Sequence, residues 1–166
     1  MITELYVDMD GVLADFYNRF IELFKQHPER DYPSNNQAKK DYQNKWHKFI
    51  KDDHFATLDP MPDLQIGLLF LNEKAKHMPV NILGSTARAE FLNELTRQKT
   101  IWLRRYDINF NTIFVPGKSL KQHYAKPGRV LIDDTQINIT QWNDNGGIGI
   151  LHTSWDDTIV QINNLL

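Results

Sequence analysis

The sequence LYVDMDGVLADF, residues 5–16, places two aspartates one residue apart directly after an apolar run. Residues 5–7 are predicted to form a short buried strand, and residues 9–12 the turn that leaves it. Asp8 and Asp10 therefore lie at the end of that strand. Like charges that are buried together repel each other, so the pair indicates a partner of opposite charge at this place.

Strands and helices alternate through the rest of the chain. Apolar spacing predicts strands at 80–83, 112–115, 130–132 and 148–151. Helical spacing predicts helices at about 14–27, 37–53, 64–77, 89–106 and 135–143, with a last one starting at residue 154 or 156. This alternation predicts an α/β fold with a parallel sheet flanked by helices.

One segment falls outside the regular alternation. Residues 17–62 contain a polar, proline-containing break, an amphipathic helix rich in lysine and the rigid connector LDPMPD. This segment is predicted to form a small helical cap over one edge of the sheet. The core would then consist of residues 1–16 and 63–166.

Composition restricts the function classes. The chain has 166 residues, 41% of them hydrophobic, a net charge of -2 and no cysteine. Disulfides, zinc–thiolate sites and thiol catalysis are thereby excluded, and the charge weighs against a polynucleotide partner. The longest apolar run is too short to cross a bilayer, and a charged stretch begins at Glu4. A cytoplasmic protein without a membrane partner is expected, and a homodimer is compatible with the sequence.

Polar residues follow three of the predicted strands. Asp8 follows the first, Ser85 the second, and the pair Asp133 and Asp134 the strand VLI. Ligands of parallel α/β sheets bind beyond the carboxyl ends of the strands, where these side chains would meet. Carboxylates converging at one edge need a cation, and an oxygen-only ligand set suits Mg²⁺.

Ser85 and two lysines are open to more than one interpretation. Ser85 could donate a hydrogen bond to a phosphoryl oxygen or cap the helix that follows. Lys118 and Lys121 precede the last acidic pair, and a lysine beside a carboxylate cluster can balance the charge of a phosphate. A lone lysine is otherwise a solvated surface group.

These motifs, in this order, resemble the four-motif signature of the haloacid dehalogenase (HAD) superfamily of phosphohydrolases, whose core is Rossmann-like. Within it, DMDGVLADF, HFATLDPMPD and LIDD are similar to segments of the 5'(3')-deoxyribonucleotidases. The resemblance covers nearly the whole chain. It implies a HAD core with the cap inserted after the first motif.

The resemblance also implies catalytic roles. Asp8 would be the nucleophile that forms an aspartyl-phosphate, and Asp10 the general acid and base. Mg²⁺ would be held by Asp8, by the backbone carbonyl of Asp10, and by Asp134 together with Asp133. Ser85 and a lysine would hold the other phosphoryl oxygens. Lys121 is preferred to Lys118 because the motif KxxYA, which begins at Lys121, is similar to the corresponding sequence in bacterial and phage relatives.

Substrate contacts are expected mainly from the cap side. Phe16 matches an aromatic position that contacts the base in the deoxyribonucleotidases. The full set of predicted substrate-binding residues is Phe16, Gly11, Thr86, Arg88 and Trp46. Four of them have a structural alternative: core packing for the aromatic residues, relaxation of a tight turn for Gly11, and a solvated helix start for Arg88.

The leading hypothesis is a Mg²⁺-dependent phosphatase acting on a small nucleotide, most simply a deoxyribonucleoside monophosphate. The alternative is the same chemistry on another small phosphate ester or on the 3'-phosphate of a polynucleotide. A non-catalytic binding protein on the same fold is a third hypothesis. It predicts a damaged nucleophile or metal pair, whereas Asp8, Asp10, Asp133 and Asp134 are all present.

Overall fold

Five parallel strands form the centre of the molecule in a computed structural model that describes residues 1–166. They are β1 (Glu4–Val7), β2 (Val80–Ser85), β3 (Asn111–Val115), β4 (Arg129–Asp133) and β5 (Ile148–Leu151). Their order in the sheet is β3-β2-β1-β4-β5. The predicted α/β fold with a parallel sheet flanked by helices is confirmed.

Six α-helices accompany the sheet: α1 (Phe16–Phe24), α2 (Asn36–Lys51), α3 (Leu64–Lys74), α4 (Leu92–Arg105), α5 (Gln136–Asp144) and α6 (Trp155–Asn163). Short 3₁₀ helices cover His54–Thr57, Ala89–Phe91 and Lys118–Tyr124. None of the helices has the length and apolar character needed to span a bilayer.

Helices α1 to α4 are each shorter than predicted, most clearly α1 and α4. The first ends at Phe24 because Lys25 adopts a left-handed conformation with φ of 53°, and its backbone N–H donates to the Ile21 carbonyl. The segment predicted to begin a helix at Ala89 starts with a 3₁₀ turn, and α4 begins only at Leu92. Of the two predicted starts of the last helix, Ser154 is its N-cap.

Alternation along each strand divides the core between the two faces of the sheet. Leu5 and Val7 belong to the larger apolar cluster, whereas Tyr6 belongs to a smaller one on the opposite face. In β4, Leu131 likewise contributes to the smaller cluster. Because successive strand side chains point to opposite faces, these short apolar runs are buried on both sides.

The strand register brings the polar residues of the motifs to one edge. Val7 pairs with Ile132 on one side of β1 and with Ile82 on the other. The backbone N–H of Asp8 continues this ladder, donating to the Ile132 carbonyl at 2.9 Å. The polar side chains at the carboxyl ends of β1, β2 and β4 therefore lie at adjacent positions.

The segment between β1 and β2 packs directly on the core through aromatic rings. Phe16, Phe20, Phe49 and Phe55 are buried in the same large cluster as the residues of β1. The segment is also tied to α4, where Trp102 Nε1 donates to the Leu58 carbonyl at 2.8 Å. The division into a core and a cap at 17–62 remains a prediction.

Gly67 provides a test of how closely α3 packs on α6. A Cβ added at Gly67 would overlap the indole ring of Trp155, which is fully buried. Gly67→Ala should therefore lower the free energy of unfolding by about 1 to 3 kcal/mol, although alanine is the better helix former. Chemical denaturation measures this, with Gln65→Ala at an exposed position of α3 as the matched control. A stabilised Gly67→Ala variant would contradict the packing.

Candidate active site

Lys121 lies between two carboxylates at the sheet edge. Its Nζ is 2.7 Å from Oδ1 of Asp8 and 2.7 Å from Oδ2 of Asp133, and the side chain is buried. Burial opposes the charge on this lysine, but the carboxylates of Asp133 and Asp8 outweigh that effect and raise its pKa. Lys118, the other candidate, is half-exposed and pairs with Glu29. The geometry therefore favours Lys121.

Asp133 is held by donors on both of its oxygens. The Thr135 backbone N–H donates to Oδ1 at 2.9 Å. The side-chain amide of Asn138 donates to both oxygens at 3.0 Å. Thr135 and Asn138 lie at the start of α5, so the strand-to-helix turn fixes the carboxylate that anchors Lys121.

Three carboxylates lie close together here. One oxygen from each of Asp8, Asp133 and Asp134 falls within 4.8 Å of the others. Burial, reinforced by the neighbouring carboxylates and only partly offset by Lys121, raises the pKa of Asp8 to about 7. Burial and the Asp133 charge raise the pKa of Asp134 to about 6. The cluster holds more negative charge than its lysine neutralises.

Gly11 allows the turn after β1 to pass close to this cluster. Its φ is +81°, a conformation that favours glycine. A Cβ at this position would overlap the Asp134 carboxylate and the Tyr17 ring. The need for glycine is thus both conformational and steric.

Burial and the Asp134 charge raise the pKa of Tyr17, which keeps its hydroxyl protonated beside the carboxylates.

A cavity of about 200 Å³ opens above the carboxylates. Its polar lining includes Asp8, Asp10, Ser85 and Lys121. Its aromatic lining consists of Phe16, Tyr17, Tyr42, Trp46 and Phe55. The polar residues come from the sheet edge and the aromatic ones from the segment after β1, so polar and aromatic side chains line the same cavity.

Phe16 both lines this cavity and packs in the core. Its ring is only 3% exposed and stacks on Phe55 with centroids 5.2 Å apart. The centroid of the Trp46 ring lies 5.3 Å from that of the Phe16 ring, and Trp46 is only partly buried. The two alternatives considered for Phe16, core packing and cavity lining, therefore coexist.

The chain matches a protein-family model over residues 1–161, described as 5' nucleotidase, deoxy (pyrimidine), cytosolic type C protein. The chain belongs to this family. As a member of the deoxynucleotidase family it is a HAD-type hydrolase of phosphoric monoesters. A search of curated protein sequences gave no match.

Solved structures share the fold of this deoxynucleotidase family member. The L-2-haloacid dehalogenase of Xanthobacter autotrophicus is 13% identical, with a TM-score of 0.55 over 99% of this chain and 83% of the other. A hydrolase from Streptococcus pneumoniae TIGR4 is also 13% identical, with a TM-score of 0.50 over 99% and 97% of the two chains. These similarities establish the HAD fold.

Three of the predicted substrate-binding residues, Gly11, Thr86 and Arg88, do not line the main cavity of the protein. Thr86 is fully buried, and its backbone N–H donates to the Val115 carbonyl at 2.9 Å. Arg88 is half-exposed, pairs with Glu90, and lines an adjacent cavity of about 170 Å³ that shares Trp46 with the main one. Neither geometry supports direct contact with a phosphate at Asp8.

Lys99 is a residue of the candidate site that the sequence did not reveal. It lies on α4, is 1% exposed, and places Nζ 2.5 Å from Oδ2 of Asp10. The available signal was helical spacing: Leu95, Lys99 and Trp102 occupy one face of α4, and all three are buried. A lysine on the buried face of a helix indicates a buried partner of opposite charge.

Asp8 should make the stability of the protein depend on pH. Because burial raises the pKa of Asp8 from 3.8 to about 7, the folded state binds its proton more tightly than the unfolded state does. The stabilisation is present below pH 4 and is lost as pH rises towards 7. In chelator, the melting temperature of Asp8→Asn relative to that of the unsubstituted protein should therefore rise between pH 5 and pH 8.

Melting temperatures measured across this range test the expectation. Asp41→Asn, at an exposed position of α2, is the matched control and should give a difference that does not change with pH. A melting difference for Asp8→Asn that stays constant from pH 5 to pH 8 would contradict the raised pKa.

Proposed function

We propose that this protein is a Mg²⁺-dependent nucleotidase that hydrolyses a nucleoside monophosphate through an aspartyl-phosphate at Asp8. The observation that carries the proposal is the arrangement of Asp8, which is paired with a buried lysine and faces a cavity with aromatic walls. Membership of the deoxynucleotidase family supports the substrate class.

Asp8 is proposed as the nucleophile because its carboxylate is fixed in one orientation. Oδ1 accepts hydrogen bonds from the Met9 backbone N–H at 2.8 Å and from Lys121 at 2.7 Å. Oδ2 takes no part in these contacts and is the oxygen proposed to attack phosphorus. Lys121 offsets part of the repulsion between an anionic carboxylate and an anionic phosphate.

The residues present fit a Mg²⁺ ion. The carboxylates of Asp8, Asp133 and Asp134 form an oxygen-only cluster, in which burial and the Asp133 charge raise the pKa of Asp134. Asp8 and Asp134, with the backbone carbonyl of Asp10 and support from Asp133, are proposed to hold it. The ion would neutralise charge on the phosphoryl oxygens and on the attacking carboxylate.

Asp10 and Ser85 are proposed to complete the reaction at the cavity floor. Asp10 would protonate the departing alkoxide and then take a proton from the water that hydrolyses the aspartyl-phosphate. Ser85 Oγ accepts a hydrogen bond from the Ala87 backbone N–H at 3.2 Å. Its own proton remains available for a phosphoryl oxygen.

The aromatic wall is proposed to select the nucleoside. Residues 17–62 would act as the cap, with Trp46 on the exposed side of the cavity and Phe16 behind it. Stacking of a base on an aromatic side chain contributes about 1 to 3 kcal/mol. A planar base is therefore favoured over a sugar phosphate, which offers no aromatic surface.

Phosphate release from a panel of phosphate esters tests the function. With Mg²⁺, deoxyribonucleoside monophosphates should be hydrolysed faster than sugar phosphates, and Asp8→Asn should lower the rate more than about 1,000-fold. Asp41→Asn serves as the exposed control and should retain the rate.

Each other outcome excludes a part of the proposal. Comparable rates on sugar phosphates would exclude nucleotide selectivity. Faster release from a polynucleotide 3'-phosphate would favour that substrate instead. Turnover by Asp8→Asn would rule out Asp8 as the nucleophile.

Mg²⁺ affinity should depend on pH. The ion competes with protons for Asp8, whose pKa is raised to about 7 by burial, so binding should weaken as pH falls. Titration calorimetry should give a dissociation constant about tenfold higher at pH 6 than at pH 8. Asp134→Asn should weaken binding at both values, whereas Asp41→Asn should not. Equal affinity at pH 6 and pH 8 would count against a Mg²⁺ site at Asp8.

A further inference from the structure

Lys99 makes three contacts within the site from an interior position on α4. Its Nζ is 2.5 Å from Oδ2 of Asp10 and donates to the Ser85 carbonyl at 3.0 Å. The same atom lies 5.1 Å from the centroid of the Phe55 ring. A buried ammonium group is costly unless it is paired, and Asp10 supplies the only carboxylate that Lys99 contacts.

The contact distinguishes the two oxygens of Asp10. Lys99 occupies Oδ2, whereas Oδ1 is buried and has no hydrogen-bond partner in the protein. An unpartnered buried carboxylate oxygen is uncommon, since such groups are nearly always satisfied. Asp10 also lines the main cavity. Oδ1 is therefore the oxygen of Asp10 whose hydrogen-bonding capacity the protein leaves unused.

We propose that Lys99 is a positioning residue that holds Oδ2 of Asp10 so that Oδ1 exchanges the proton with the leaving oxygen of the substrate. The proposal rests on the nucleotidase function proposed above. Lys99 does not touch the substrate and acts through Asp10. A carboxylate free to rotate would populate several orientations, and proton transfer requires hydrogen-bond contact with the leaving oxygen.

The adjacent residue on α4 performs a parallel task for the segment after β1. Gln98 Oε1 accepts from the Phe55 backbone N–H at 3.1 Å, and Gln98 Nε2 donates to the Ile50 carbonyl at 2.7 Å. Gln98 is buried like Lys99 but makes no contact with Asp10. Gln98 thus offers a matched comparison, because its loss disturbs the same region without releasing Asp10.

The experiment compares two substrates that differ in their need for a proton. A deoxyribonucleoside monophosphate releases an alkoxide that must be protonated, whereas p-nitrophenyl phosphate releases a stable phenolate. The value of kcat/KM reports the steps up to departure of this group. Lys99→Met, which keeps the length of the side chain without its charge, should lower kcat/KM about 100-fold for the nucleotide and less than about fivefold for p-nitrophenyl phosphate.

Further variants separate positioning from folding. Lys99→Arg should recover part of the loss on the nucleotide because it restores a donor to Oδ2. Gln98→Leu should lower kcat/KM for both substrates by a similar factor. In an Asp10→Asn background, Lys99→Met should add no further loss on the nucleotide, since the two residues act as one unit. If Lys99→Met does not fold, Lys99→Gln takes its place in each comparison.

The outcomes distinguish this inference from the function on which it rests. If Lys99→Met lowered kcat/KM equally for both substrates, or lowered it further in the Asp10→Asn background, the positioning role would be overturned. The nucleotidase function would remain in place. An unsubstituted protein that hydrolyses neither ester would overturn the nucleotidase function and the positioning role together.

Discussion

The ammonium group of Lys121 lies between carboxylates at the ends of two neighbouring strands, β1 and β4. Removing one carboxylate from a buried ion pair leaves a charge without a partner, which is strongly destabilising. The contact therefore requires the register that places Asp8 beside Asp133. It also requires the 3₁₀ helix that turns Lys121 inward. The position of Asp8, the proposed nucleophile, follows from this arrangement, as do the anchoring of Asp133 by α5 and the floor of the cavity.

Most of the sheet could be predicted from the sequence because each strand is indicated by a short run of neighbouring residues. Short apolar runs that end in Asp8, Ser85 and Asp133 indicate buried parallel strands and a polar edge without knowledge of the rest of the fold. Helix ends were less predictable. The left-handed conformation that ends α1 is adopted by Lys25, a residue that gives no signal of a helix end, whereas glycine at this place would have given one.

In the candidate site, contacts between residues that are distant in sequence could not be predicted from the local pattern. Lys118 and Lys121 have similar surroundings in the sequence, and only the path of the 3₁₀ helix separates the buried lysine from the exposed one. Lys99 is 89 residues from Asp10, so no motif connects them. Helical spacing could indicate that Lys99 faces inward, but the identity of its partner depends on the packing of α4 against the sheet edge. Long-range ion pairs of this kind are set by topology.

Phe16 both packs in the core and lines the cavity, which has a consequence for how the proposed base selectivity can change. Its ring belongs to the apolar cluster that contains β1, so any residue of different volume at this site would disturb the whole molecule as well as the substrate. Trp46 faces the same space from a half-buried position on α2 and carries less of the packing. New base preferences are therefore expected to arise first at Trp46, where evolution can vary the contact surface with little risk to folding.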